Sequence, residues 1–252
     1  MEASPDRSSR LAQLAAAVAA ASLVLVMIAL LGVQVDLFAP MTAFLFFAVG
    51  ALLGGLLSLL LGLVGLFVTR GGGDPQGAKR AISAGAVGLA LLVAVAIGAS
   101  AGSGAPAIND ISTDLDDPPA LNAASRAPAN ADRDMSYPPD FKAVVRESYP
   151  DLQTTELDVP ASACFERALT VAAALGWQLV ERDPAAGTFE AEDRSALFHF
   201  VDDIAVRVRP SGNDCRVDMR SKSRDGKSDL GANAKRIRAF GAALEAAAPA
   251  SR

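Results

Sequence analysis

Three long apolar stretches in the first hundred residues constrain this chain more than any other feature. They are Leu11 to Val35, Met41 to Thr69 and Ala81 to Ala101, and none has an ionisable residue in its interior. A helix rises about 1.5 Å per residue, so about 20 apolar residues cross a hydrocarbon core ~30 Å thick. The sequence therefore predicts a transmembrane anchor of three helices in residues 1–103, followed by a C-terminal half outside the bilayer.

Basic residues near the helix ends predict the orientation of this anchor. Arg7 and Arg10 precede the first stretch, and Arg70, Lys79 and Arg80 lie between the second and the third. The turn between the first and second stretches has no Lys or Arg. Basic residues stay on the cytoplasmic side, so we expect a multi-pass protein of a bacterial inner (cytoplasmic) membrane. Its N-terminus would be cytoplasmic and its C-terminal half periplasmic or extracytoplasmic.

Small residues recur every fourth position along the second and third stretches. The two sets are Gly50, Gly54, Ser58 and Gly62, and Ala86, Ala90, Ala94, Gly98 and Gly102. Such ridges let helix backbones approach closely, so we expect these faces to hold the three helices together or to pair with another copy or a membrane protein partner. Because no charge lies inside a stretch, the helices indicate an anchor in the lipid bilayer, not a transport pathway.

Residues 104–139 are rich in Ala, Pro, Asn, Asp and Ser and are predicted to form an extended, acidic linker. Oxygen-bearing side chains alternate from Asp110 to Asp116, as in a calcium loop. The sixth and twelfth positions, however, are Leu115 and Leu121, where an EF-hand has Gly and Glu. The remaining interpretations are a solvated acidic segment or a strand docked on the domain that follows.

Residues 140–248 have the pattern of an α+β domain. Alternation of apolar and polar residues predicts strands at 154–159, 177–182, 188–193, 197–200, 204–208 and 215–223. Helices are predicted from Ala161 to Leu175, ending at Gly176, and from about Asn233 to Ala247. Short turns between strands favour an antiparallel sheet, with the two helices on one face.

Three runs in this domain, Asp202 to Pro210, Val217 to Arg224 and Gly226 to Arg238, are similar to the signature of the bacterial domain-of-unknown-function family 1499 (DUF1499). Asn109 to Asp114 and Asp117 to Pro119 resemble the beginning of that family's domain. The resemblance covers about residues 106–244. It implies a layout like that of the membrane-anchored members, and the family supplies no established activity.

Cations, glycines and hydroxyls are concentrated just before the last helix. Helix N-termini carry a partial positive charge, so added Lys and Arg favour a phosphate or a carboxylate there. The predicted anion site comprises Arg220, Lys222, Arg224, Lys227, Ser228, Asp229 and Asn233. The structural alternative is that Ser228, Asp229 or Asn233 caps the helix while acidic neighbours neutralise the cations. A phosphate-binding loop is not expected, because Ser221 stands where its first glycine is required.

Other catalytic patterns are sparse. His199 is the only histidine, and we expect it to be structural because no nucleophile motif accompanies it. Glu190, Glu192, Asp202 and Asp203 could meet across a hairpin as paired carboxylates or a metal site, although solvated strand faces explain them as well. We therefore predict no catalytic residue, metal ligand or cofactor.

Cys164 and Cys215 are the only cysteines. In an oxidising compartment, a bond between them would stabilise the domain by about 4 kcal/mol in the chain-entropy model. Two buried thiols are the alternative.

The functional expectation is a non-enzymatic envelope protein that binds an anionic lipid head group, a cell-wall glycan or a protein. The net charge is −5, and the basic residues lack stacking aromatics, so nucleic acid is not an expected partner. The alternative is an enzyme acting on a phosphorylated or carboxylated substrate at the Ser221 to Asn233 loop. A pocket with Asp229 turned into it would favour the enzyme, whereas Asp229 capping the helix would favour the binding module.

Overall fold

The computed structural model describes residues 7–69, 74–100 and 102–247, which form two compact units. The first unit contains the N-terminal helices together with Ala196–His199, and the second contains the remainder of the C-terminal half. Arg70, residues 71–73 of the predicted cytoplasmic loop, and Ala101 lie outside the described residues.

The helices of the first unit confirm the three predicted apolar helices. They are α1 (Arg7–Gln34), α2 (Pro40–Ala48), α3 (Gly55–Thr69) and α4 (Pro75–Ser100), with a π-helical segment, Val49–Gly54, joining α2 to α3. Among the described residues, three helical spans are long and apolar enough to cross a membrane: Arg10–Gln34, Pro40–Thr69 and Pro75–Ser100.

Glycines bring α3 and α4 into close backbone contact. A Cβ added to Gly62 would lie 2.5 Å from the backbone nitrogen of Gly85 and 2.7 Å from its Cα. On α4, the buried small residues are Gly77, Ala81, Ala84 and Gly88. The predicted ridge of Ala86, Ala90, Ala94 and Gly98 is exposed instead. The helices of this unit therefore pack through a different face of α4, and pairing of the exposed ridge with another copy stays a prediction.

An antiparallel sheet forms the centre of the second unit, as the sequence predicts. Its strands are β1 (Asp110–Ser112), β2 (Thr155–Leu157), β3 (Gln178–Asp183), β4 (Thr188–Arg194), β5 (Val201–Ser211) and β6 (Asp214–Ser223). The order is β1-β6-β5-β4-β3, and β2 also pairs with β6. His199 has φ 56°, which extended backbone does not adopt, so the predicted strand at 197–200 is absent and β5 begins at Val201.

Helices of the second unit are α5 (Asn122–Arg126), α6 (Phe141–Ser148), α7 (Ala161–Ala174) and α8 (Ala232–Ala246), with a 3₁₀ turn at Pro128–Asn130. The predicted α7 and α8 pack against one face of the sheet and bury the main core with it. That core includes Phe165, Val171, Phe189, Ile204, Val206, Met219, Ile237 and Phe240. Trp177 stacks on Phe240 with ring centroids 5.1 Å apart. Gly176 adopts φ 81° and so ends α7, as predicted.

Residues 113–137 cover the opposite face of the sheet, where the sequence analysis expected an extended linker. Leu121 and Ala124 are buried there against Ala205 of β5, with Met135 packed beside them. Asp110 to Ser112, just before this segment, forms β1 and pairs with β6, as the docked-strand alternative predicted. We call residues 113–137 the covering segment. Its apolar residues are few and small, which is why its composition alone indicated a linker.

Candidate functional site

The face of the sheet under the covering segment has rows of charged side chains. Residues directly opposite each other on antiparallel strands point to the same face. One row therefore runs across four strands through Asp110, Lys222, Asp203 and Glu192. The cations predicted to bind an anion, Arg220, Lys222 and Arg224, alternate along β6 and onward on this same face.

Asp110 binds two of the predicted cations. Arg220 donates from Nε to Oδ1 (2.9 Å) and from Nη2 to Oδ2 (2.7 Å), and Lys222 Nζ donates to Oδ2 (3.0 Å). The covering segment completes the site, since Arg220 also donates to the Met135 carbonyl (2.9 Å) and lies over the Tyr137 ring. Burial, together with the charge of Asp110, raises the pKa of the Tyr137 phenol, so this ring is neutral. Arg220 and Lys222 therefore have their counter-charge inside the protein.

Arg224 is also paired. Its Nε donates to both carboxylate oxygens of Asp203 (3.1 and 3.0 Å), and its Nη2 donates to Asp203 and to Glu192. Burial opposes the charge of the guanidinium, but the two carboxylates outweigh it and raise the pKa of Arg224. Asn130 of the covering segment donates to Asp203 as well (2.9 Å). Glu192 and Asp203 thus meet across the β4–β5 hairpin, with an arginine as their shared partner.

The residues just before α8 cap the helix. Asp229 Oδ2 accepts the Asn233 N–H and its Oδ1 accepts the Gly231 N–H, both at 2.8 Å. Asn233 is buried, accepts a hydrogen bond from Ser221 Oγ (2.6 Å) and donates to Ser223 Oγ (3.0 Å). Ser228 Oγ accepts the N–H of Leu230 (3.3 Å). These contacts correspond to the capping alternative for Asp229.

Lys227 differs from the other predicted cations. It is exposed, and no described residue forms a hydrogen bond or an ion pair with it. Within the described residues, the seven predicted site residues therefore divide into three buried or half-buried cations with internal partners, three residues that organise the start of α8, and one free lysine.

Comparison with known families agrees with the sheet and its covering segment. The model of a family described as a protein of unknown function, DUF1499, matches residues 110–244, more than half of the chain. The protein belongs to the DUF1499 family. A search of curated proteins found no match. The family match begins at the first residue of β1 and ends within α8, so the covering segment is an integral part of the DUF1499 domain.

A second cluster of buried ion pairs in the DUF1499 domain was missed by the sequence analysis. Arg209 Nη2 donates to Asp114 (2.8 Å) and to Asp218 (2.7 Å), while Arg207 donates to the carboxylate and the carbonyl of Asp117 (2.9 and 2.6 Å). Thr154 Oγ1 donates to Asp218 (2.6 Å). The alternation of Arg207 and Arg209 on β5 was visible in the sequence, but the acids that pair with them are remote in the chain.

Ionised Asp114 is favoured in this cluster. Burial opposes its charge, but the N–H groups of Asp117 and Asp116 and the guanidinium of Arg209 outweigh burial and lower its pKa. A cavity of about 600 Å³ adjoins the cluster, and its lining includes Asp114, Arg146 and Arg209. The charges around it are of both signs, and those of Asp114 and Arg209 already pair with each other.

Two further contacts fasten α8 and the covering segment to the DUF1499 sheet. Arg236 of α8 donates to Asp193 of β4 (2.8 Å) and Asp202 of β5 (2.6 Å), and burial raises the pKa of Asp202 against the effect of Arg236. Glu190 accepts the N–H groups of Ala123 and Ala124 (2.7 and 2.9 Å). Burial raises the pKa of Glu190, and the N–H groups oppose that rise.

The remaining predicted residues are placed as follows. Glu190, Glu192, Asp202 and Asp203 bind the partners given above, and no group of metal-ligating side chains occurs among the described residues. His199 groups with the first unit and not with the candidate site. Cys164 of α7 and Cys215 of β6 are joined by a disulfide, with Cα atoms 6.5 Å apart and both residues fully buried.

Proposed function

We propose that this DUF1499 protein is a membrane-anchored envelope module that acts without catalysis and has its C-terminal domain outside the cytoplasm. The observation that carries this proposal is the pairing of Arg220, Lys222 and Arg224 with carboxylates of the domain itself. Catalysis on a phosphate or a carboxylate requires cations aimed at the reacting group. In this protein those cations hold the sheet and the covering segment together.

The position of Asp229 also supports a module. A general acid or base has to reach the substrate, but both oxygens of Asp229 accept backbone N–H groups at the start of α8. Asn233 is likewise occupied by Ser221 and Ser223. The enzyme alternative would need both side chains to leave these partners.

Two observations support the extracytoplasmic location of the domain. Basic residues flank the spans at Arg10, Lys79 and Arg80, on the ends that face away from the C-terminal domain in a three-span topology. The Cys164–Cys215 disulfide is typical of an oxidising compartment and would be uncommon in a reducing cytosol.

Cysteine accessibility in bacterial spheroplasts tests the location. Asn213→Cys places a thiol on the exposed β5–β6 turn, and Gln76→Cys places one before the third span. A membrane-impermeant maleimide should label Cys at 213 in intact spheroplasts and Cys at 76 only after lysis. The reverse pattern would overturn the orientation.

An assay of hydrolysis tests the absence of catalysis. Full-length protein in mild detergent is incubated with p-nitrophenyl phosphate and p-nitrophenyl acetate, beside the Asp229→Asn variant. We expect the wild-type rate to equal that of the variant and of buffer. A wild-type rate that the Asp229→Asn variant loses would instead establish the enzyme at the Ser221 to Asn233 loop.

A further inference from the structure

The loop Gly226–Gly231 is attached to the residues that follow the third span. Asn109 Nδ2 donates to the Gly226 carbonyl (2.7 Å), and the Asp229 N–H donates to the Ile108 carbonyl (3.2 Å). Leu230 packs so closely on Gly102 that a Cβ added to Gly102 would lie 2.5 Å from Leu230 Cβ. The loop therefore moves together with the start of the second unit.

Chain connectivity brings that start to the edge of the bilayer. The uncharged part of α4, residues 81–100, rises about 1.5 Å per residue and so matches a hydrocarbon core ~30 Å thick. With Lys79 and Arg80 at one boundary, Ser100 lies at the other. Gly102 is two residues further along, at most about 7 Å away. Leu230, in contact with Gly102, is therefore close to the head groups.

The exposed side chains of the loop suit that position. Leu230 is 57% exposed and adopts φ 52°, an uncommon conformation for a bulky residue, and this conformation presents its side chain to the surroundings. Lys227, three residues earlier, is exposed and without a partner among the described residues. An aliphatic side chain beside an ammonium group matches the boundary between acyl chains and lipid phosphates.

We propose that the loop Gly226–Gly231 binds the bilayer surface, with Leu230 in contact with the upper acyl chains and Lys227 with a phospholipid phosphate. The N-terminus of α8 is not the anion-binding element, because Asp229 already caps it. Asp225 carries a negative charge two residues from Lys227, so the loop does not depend on a net anionic membrane. This inference rests on the proposed membrane anchoring and assigns the ligand of the predicted anion site.

Lipid-borne quenchers test the contact in the full-length protein. Because Cys164 and Cys215 are bonded to each other, a fluorophore attaches only to an introduced cysteine. An NBD label is placed at Ser228→Cys in the loop, at Asn213→Cys in the β5–β6 turn and at Leu89→Cys on the exposed side of α4. Each protein is reconstituted in phosphatidylcholine nanodiscs with and without head-group nitroxide lipid.

We expect the label at 228 to be quenched clearly more than the label at 213. Lys227→Ala and Leu230→Ser, each added to the 228 reporter, should reduce this quenching, whereas Lys235→Ala, which removes another exposed lysine, should leave it unchanged. The fluorescence of Trp177 verifies that each variant is folded.

The outcomes separate the inference from the anchoring on which it rests. Leu89 quenched by nitroxides placed along the acyl chains, with the 228 label quenched no more than the 213 label, would overturn the loop contact alone. An unquenched Leu89 label would overturn the anchoring as well. Quenching at 228 that Lys227→Ala and Leu230→Ser leave unchanged would overturn the roles of these two side chains.

Discussion

Arg220 and Asp110 form a two-point ion pair that joins β6 to β1, with Nε 2.9 Å from Oδ1 and Nη2 2.7 Å from Oδ2. The side chains are 3% and 0% exposed, and Lys222 donates to the same carboxylate. Solvent cannot compensate for the loss of a partner in such a site. The carboxylate is therefore a structural centre of the DUF1499 domain.

Removal of this carboxylate should destabilise the domain strongly. We expect Asp110→Asn to lower the free energy of unfolding by about 3–5 kcal/mol, because it leaves two buried cations without their counter-charge. Urea unfolding in mild detergent, followed by the fluorescence of Trp177, the only tryptophan, measures the effect. Glu156→Gln, which breaks the exposed pair with Arg216, is the control and should cost at most about 1 kcal/mol. Equal effects of the two substitutions would contradict a structural role for Asp110.

Arg224 and Lys227 belong to the same predicted anion site but should respond differently to substitution. Arg224→Ala leaves Asp203 and Glu192 without their shared partner, so we expect a loss of about 3 kcal/mol or more. Lys227→Ala removes an exposed side chain and should change stability by less than about 0.5 kcal/mol. The same unfolding measurement distinguishes the two, and a stable Arg224→Ala protein would show that this arginine is available for a ligand.

Asp114 should make the stability of the domain depend on pH. Its pKa is lower in the folded protein than in the unfolded chain, so its contribution is present above the unfolded pKa and is lost as pH falls through the folded pKa. Asp114→Asn keeps an oxygen for the turn but removes the charge that Arg209 binds, and it should cost about 1–3 kcal/mol at pH 7. Unfolding curves between pH 7 and pH 2.5 should show this difference shrinking below the ordinary pKa of 3.8. A difference that stays constant with pH would contradict the assignment.

Reduction of the Cys164–Cys215 disulfide should destabilise the domain without changing its fold. The bond spans a sequence separation of 51 residues, for which loop closure in the unfolded chain gives about 4 kcal/mol. Both sulfurs are buried, so alkylation of the native protein should be slow even in the presence of a reductant. Intact mass after alkylation, with and without urea, measures bonding and access. Rapid labelling of the native, unreduced protein would show that the bond is absent.

Gly62 and Gly85 face each other across the α3–α4 contact, and they should differ in tolerance to alanine. A Cβ at Gly62 would meet the backbone of Gly85, whereas a Cβ at Gly85 would have its nearest neighbour at 3.9 Å. We expect Gly62→Ala to cost about 1–3 kcal/mol from overpacking and Gly85→Ala to be close to neutral. Titration of dodecylmaltoside micelles with SDS compares the two variants. Equal resistance to SDS would argue against this close approach.

Much of the fold could be predicted because its signals are local. The length and apolarity of the three helices, the alternation in β4 and β6 and the glycine at the end of α7 each depend on neighbouring residues alone. The face of α4 that packs on α3 could not be predicted, because Ala86 and Ala84 are equally small and only the position of the neighbouring helix selects one. The predicted strand at 197–200 was wrong because His199 adopts a left-handed conformation.

The candidate site shows the same division. The cations at Arg220, Lys222 and Arg224 could be found from the sequence, and so could the alternative that Asp229 caps α8. The partners of Arg220 and Arg224 could not, since Asp110 lies 110 positions before Arg220 and Asp203 lies 21 positions before Arg224. Sequence patterns identify charges, but pairing depends on which strands become neighbours.

The sequence by itself determined that this chain has three helices able to cross a membrane, an α+β domain and membership of one family, because hydrophobic length and periodicity depend on residues close together in the chain. Only the tertiary structure decided that residues 113–137 cover the sheet, that the buried cations have internal counter-charges and that Leu230 packs beside Gly102. Those relationships join residues far apart in sequence, and their energies exist only once the strands are in register.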